Sequence, residues 1–246
     1  MNVGAAMTVI GMTGNGGVGK TTLVSNIGTC LAADGIRTLL LDANLYLPGL
    51  GTHFGIQPRY TIHDFVENPQ MDVEWLLYNL PGIKDLYLVL GNETVLPSSQ
   101  FSFKAVGRLI EILREHFGMV LVDFPSGLPI EPHPLINHLD YQILVIDPTA
   151  VPRIDLTAWV DELIKKYIAL GKDEVFIILN KPLIGESELE KLEKHIADDL
   201  GLPLLGTVPY EPQILESLHT GVPAFLIGTA PGAIGAIAAE IAEMFL

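Results

Sequence analysis

The chain has 246 residues, 49% of them apolar and 17% charged, which is enough to bury a sizeable core as one α/β domain over 1–246. Fourteen Lys and Arg against 29 Asp and Glu give a formal charge of −15. That balance disfavours a general attraction to nucleic acid or anionic membrane, and it suits neutral or basic partners. The single cysteine, Cys30, falls within an expected helix; it has no second cysteine for a disulfide or shared metal site in the chain, and points to a reducing, cytoplasmic setting with a buried apolar role for its thiol.

In chain order, "MNVGAAMTVIGMTG" carries no positive charge ahead of its apolar stretch and is not expected to be a signal peptide. Its second half, "MTVIGMT" from Met7 to Thr13, is the first expected strand. It runs directly into Gly14-Asn15-Gly16-Gly17-Val18-Gly19-Lys20-Thr21, and a helix is expected from Lys20 to Asp34. Glycine, four residues, then Gly-Lys-Thr between a strand and a helix is a phosphate-binding loop, and the flanking elements make the motif specific. The glycines let the backbone turn tightly and aim its amides at phosphate oxygens, and the helix N-terminus adds partial positive charge. Lys20 is expected to reach the β and γ phosphates, and Thr21 to offer its hydroxyl to Mg²⁺.

The strand "RTLLLD" closes on Asp42. After "DLYLVLG" (Asp85 to Gly91) and a helix from Lys104 to Phe117, the strand "MVLVDF" places Asp123 near its end. An aspartate at such a place can cap a turn or helix. Beside a phosphate loop it can instead hold Mg²⁺ through bound water, which is the better reading for Asp123, while for Asp42 the two stand level. "YQILVID" (Tyr141 to Asp147), a helix from Pro152 to Leu170, "EVFIILN" (Glu174 to Asn180), a helix from Glu186 to Leu200 and "LPLLGTV" (Leu202 to Val208) follow. Such nearly continuous apolar runs belong to strands covered on both faces, hence to a doubly wound, mainly parallel sheet flanked by helices. The uncharged stretch Val222 to Ala239 is long enough for a membrane span, but Pro223, Gly228, Pro231, Gly232 and Gly235 interrupt it, so a loop entering a terminal helix over Ala233 to Leu246 is expected. Ile234, Ile237, Ile241 and Phe245 share one face of that helix, and its polar face has no lysine or arginine for a membrane surface. The seven histidines (53, 63, 116, 133, 138, 195 and 219) are scattered, and Asn180-Lys181-Pro182 taken alone is a turn signal.

Three segments together resemble the MinD/ParA group of P-loop ATPases, closest to its MinD-like branch: "GNGGVGKTTLVSNIGTCLAADGIRTLLLDANLYLPGL", "VLVDFPSG" at Val120 to Gly127, and "VPYEPQILESLHTGVPAFL" at Val208 to Leu226. The resemblance implies a P-loop NTPase fold, ATP and ADP as ligands with Mg²⁺, and nucleotide contacts from Gly14, Asn15, Gly16, Gly17, Val18, Gly19, Lys20, Thr21 and Thr22. It further implies metal-site roles for Thr21, Asp42 and Asp123, adenine reading by Asn180 and packing of the Pro209 loop against the base. Two positions depart from the family. Asn15 stands where a lysine crosses an ATP-bound dimer to the partner's nucleotide, and Asn44 stands where a second aspartate positions the attacking water. An amide can orient but brings no positive charge and is no strong base, so Lys20, Asp42 and Asn44 are expected to support slow hydrolysis. The implied function is a nucleotide-switched homodimer that docks an unidentified partner protein. The alternatives are an accessory ATPase for nickel or iron-sulfur enzyme maturation and a pseudo-ATPase scaffold.

Overall fold

The apolar runs become strands because each is buried on both sides of one sheet. The computed structural model describes residues 7–92, 102–127, 133–150, 155–170, 172, 174–230 and 232–246, the side chains of 133, 134, 150 and 170 excepted. Its strands are β1 (Thr8–Thr13), β2 (Thr38–Asp42), β3 (Leu77–Asn79), β4 (Leu86–Val89), β5 (Met119–Asp123), β6 (Tyr141–Ile146), β7 (Val175–Asn180) and β8 (Leu204–Val208). They stand in the order β3-β4-β2-β5-β1-β6-β7-β8. Every neighbouring pair is parallel except β3 with β4. All seven expected strands are present; the antiparallel edge strand β3 is an addition, too short at three residues to leave a pattern.

Alternate residues serve opposite faces. Ile10, Leu40, Leu121 and Ile143 point to the layer built by α1 (Lys20–Ala33) and α9 (Gly232–Phe245). Val9, Leu39, Leu41, Val120 and Val122 point to the layer that includes α3 (Ile62–Glu67) and α4 (Phe103–Arg114). The short helix α5 (His133–Ile136) packs in that second layer through Leu135, whereas α2 (Leu50–His53) packs on α1 and buries Leu50 in the first. Leu144, Ile146, Ile177 and Leu179 form a third cluster with α6 (Leu156–Leu170) and α7 (Glu186–Lys194). The expected start of α6 at Pro152 lies outside the described residues. The helix expected to Leu200 changes to a wider π-type turn over His195–Asp199. The terminal helix buries the expected face: Ile234, Ile237, Ile241 and Phe245 are all in the core. Between β8 and α9 lies α8 (Pro212–Thr220), not anticipated, which starts on Pro212 and stops on Gly221 in the left-handed conformation.

The topology fixes the site. Strand β5 lies between β2 and β1, so their carboxyl ends are neighbours, with Asp42 opposite Asp123 and Asp123 opposite Met12. The chain leaving β1 therefore turns above two buried aspartates, in the crevice where open parallel sheets take their ligands.

Candidate nucleotide-binding site

Residues 14–19 join β1 to α1. Gly14 has φ +143° and a Cβ there would lie 2.5 Å from Val145 O. Gly19 caps α1 at φ +94°, where a Cβ would run into Asn180 Nδ2; side chains are excluded at both positions. No side chain caps the N-terminus of α1, so its first amides are left for an anion. Lys20 folds back over the loop, donating to Gly14 O and Asn15 O at 3.0 Å each and to Ser126 Oγ at 3.3 Å. Burial lowers the Lys20 pKa, and the Asp123 carboxylate works against that shift.

The two aspartates have different tasks. Asp42 is fully buried and accepts three backbone N–H groups: Asn44 at 3.2 Å on Oδ1, and Gly49 at 2.8 Å and Leu50 at 3.0 Å on Oδ2. It therefore ties down the loop that leads from β2 into α2. Asp123 Oδ2 accepts the Thr21 hydroxyl at 2.6 Å, while Asp123 Oδ1 is buried without a hydrogen-bond partner. Burial raises the pKa of both aspartates, and for Asp42 the charge of Asp123 adds to the rise. A buried, unpartnered carboxylate oxygen beside a threonine hydroxyl is a hard oxygen donor set of the kind Mg²⁺ takes, so Thr21 and Asp123 fit that ion.

Asn44 reaches the cleft lined by Gly17, Lys20, Thr21, Thr22, His53 and Ser126, but its carboxamide is closed on its own turn. Nδ2 donates to Leu47 O at 2.6 Å and Oδ1 accepts from Leu47 N at 3.1 Å. Asn15 sits at the loop's outer edge, where its Oδ1 lies 3.4 Å from the Tyr167 hydroxyl oxygen. Asn180 is turned into the loop, donating from Nδ2 to Val18 O at 2.7 Å, so one of its amide hydrogens is already committed. Asn180 and Pro209 both line a second cleft of about 270 Å³ with Gly17, Thr22, Ile214 and Leu218. Its walls are chiefly apolar, as a flat heterocycle requires.

Residues 9–224 match the family model described as the CobQ/CobB/MinD/ParA nucleotide binding domain. The chain belongs to this family. The septum site-determining protein MinD of Thermotoga maritima is 26% identical over 234 residues, covering 90% of this chain and 82% of that protein. Among solved structures, the MinC:MinD cell division protein complex of Aquifex aeolicus matches with TM-score 0.79 and 25% identity over 97% of both chains. The fold is also shared with MinD complexed with Mg-ADP from Pyrococcus horikoshii, TM-score 0.75 and 22% identity, over 96% of both chains.

Several residues join this MinD/ParA-type site without a signal in the sequence. Ser126, from the loop after β5, meets Lys20 across 106 positions. Tyr167 of α6 donates to Gly127 O at 3.0 Å as well as touching Asn15, and burial raises its pKa beyond the ordinary phenol range. Lys181 has φ +49° and places its ammonium 2.8 Å from Gly17 O and 3.0 Å from Asp147 Oδ2, so a second lysine grips the phosphate loop. Only α8 had a readable signal, the Pro212 start and Gly221 stop. Among the described residues no helix is long and apolar enough to cross a membrane.

Proposed function

We propose that this chain, as one domain, binds ATP and ADP with Mg²⁺, hydrolyses ATP slowly, and uses the bound triphosphate to form a cytoplasmic homodimer that docks a partner protein. The observation that supports this best is the convergence of two strand-end loops on the phosphate loop. The loop after β5 meets Lys20 through Ser126 and Thr21 through Asp123. The loop after β2 is held by Asp42, with Gly49 against the Thr21 side chain. A ligand that touches Lys20 and Thr21 therefore touches both loops, and through them the outer surface. The Mg-ADP of the Pyrococcus horikoshii relative and the MinC:MinD assembly of the Aquifex aeolicus relative agree with this reading.

Thr21 and Asp123 would hold Mg²⁺, which when bound supplies positive charge to the phosphates. Lys20, released from Gly14 O and Asn15 O, would reach the phosphate oxygens beside the loop amides. The base would lie between Asn180, Pro209 and Ile214. Slow turnover follows from Asn44, whose amide is spent on Leu47, and from Asn15, which offers no charge across a dimer. The test is mass by light scattering with ADP and with a non-hydrolysable ATP analogue, beside phosphate release, for wild type and Asn15→Lys. A larger mass only with the analogue, and a tighter dimer in Asn15→Lys, is expected. Equal mass with both nucleotides would remove the dimer switch from the account.

A further inference from the structure

His53 ends α2, the short helix that the Asp42 carboxylate fastens at its other end through Gly49 N and Leu50 N. His53 lines the phosphate cleft together with Lys20, Thr21, Thr22 and Asn44. Nδ1 lies 3.1 Å from Ser25 Oγ, and Ser25 Oγ lies 2.9 Å from Thr22 O. A serine hydroxyl has one hydrogen. The Thr22 carbonyl, which also accepts from Asn26 Nδ2 at 2.8 Å, can only accept; with the Ser25 hydrogen given to it, Ser25 Oγ accepts from His53. That assigns the ring hydrogen to Nδ1 and leaves Nε2 as the nitrogen with a bare lone pair. Nε2 has no hydrogen-bond partner among the described residues. Burial lowers the His53 pKa to about 4, so near neutral pH the ring is uncharged and the lone pair is available.

A lone pair in a cleft that takes phosphate does not bind phosphate oxygen, because both would be acceptors. It binds water. The residue whose place beside the cleft would suit it to the same task, Asn44, has its carbonyl and amide turned onto Leu47. We propose that His53 is a positioning residue for ATP hydrolysis, its Nε2 accepting a hydrogen bond from a water molecule held between the nucleotide's phosphates and the loop after β2. This rests on the reading of the cleft as a nucleotide site. The imidazole orients the water and takes no proton from it, since a base with so low a pKa has little drive to do so. Asp42 matters to this role indirectly: by fastening the start of α2 it fixes where His53 stands.

Glutamine and asparagine separate this role from simple packing, because the Gln carboxamide reaches the position of Nε2 and the Asn carboxamide reaches only that of Nδ1. His53→Asn is expected to lower kcat for phosphate release by about tenfold with KM for ATP little changed, the weight of about one well-placed hydrogen bond. His53→Gln is expected to recover most of that loss, and both variants should keep the wild-type thermal shift with ADP. Independently of turnover, ¹⁵N spectra of histidine-labelled protein should show the His53 ring as the Nδ1–H form, with its Nε2 signal moving when ADP and Mg²⁺ are added. Equal loss in His53→Asn and His53→Gln, no loss in either, or an Nε2–H ring would overturn the assignment. A wild type with no thermal shift on ADP would overturn the nucleotide reading as well, which keeps the two failures apart.

Discussion

The two ends of the cleft are built in opposite ways. At the phosphate end, Lys20 bonds Ser126, Thr21 bonds Asp123 and Asp42 bonds the backbone of its own loop, through hydrogen bonds of 2.6–3.3 Å. At the base end, Pro209, Ile214 and Leu218 form an apolar wall, and Asn180 is the buried polar group beside it. The first end discriminates by charge and direction, the second by shape and apolar area. Their ligand responses should differ accordingly: the phosphate end should depend on Mg²⁺ and pH, and the base end on neither.

The largest effect is expected for Lys20→Ala. At nucleotide near a hundred times Kd, binding adds about 2.7 kcal/mol to stability, roughly 5–10 °C in Tm for a chain of this size. The variant should lose most of that shift in a melt with ADP and Mg²⁺. If it keeps the shift, the phosphate end is not where affinity resides.

Asp123→Asn comes next and tests the charge argument by pH. Burial raises the folded pKa of Asp123 and of Asp42, so between the ordinary carboxylate pKa of about 4 and the raised folded values the folded chain binds more protons than the unfolded one. These two groups therefore make the ligand-free protein less stable as pH rises through that window. Asp123→Asn should lessen the decline in a Tm series against pH and should abolish the added stabilisation by Mg²⁺ over nucleotide alone. A pH series parallel to wild type would mean that the buried pair carries no such strain.

At the base end, Ile214→Ala removes apolar surface worth about 1–2 kcal/mol and should weaken ADP and ATP alike by about tenfold, with or without Mg²⁺. A loss seen only with Mg²⁺ would erase the contrast between the two ends. The smallest effect is expected for Tyr167→Phe, which deletes the hydroxyl that donates to Gly127 O and lies beside Asn15 Oδ1. About 1 kcal/mol of stability should go, with nucleotide affinity unchanged. A tenfold drop in affinity would make Tyr167 part of the site rather than a brace between its loops.

The same contrast governs what the sequence discloses. The phosphate loop is legible because its chemistry demands glycine, lysine and threonine at fixed spacing, and the two aspartates because each closes a buried strand. The strands are legible because burial on both faces leaves unbroken apolar runs, and the terminal helix because its apolar residues recur at helical spacing. Ser126, Tyr167, Lys181 and His53 are not, since each enters the site through a contact that only the folded chain makes. Asn44 shows a further limit: the family resemblance implies water orientation for it, while only the structure shows that its short amide bonds Leu47 through both of its groups. The hold of Asp42 on its own loop likewise depends on the positions of Gly49 N and Leu50 N, which no spacing rule supplies.

The most direct test is a calorimetric titration of ADP into the wild-type chain, with Mg²⁺ and then with the ion chelated, repeated on Lys20→Ala. Saturable binding is expected that weakens by about tenfold or more without Mg²⁺ and disappears in the variant. Absence of saturable binding at millimolar nucleotide, or binding indifferent to both Mg²⁺ and Lys20, would contradict the account.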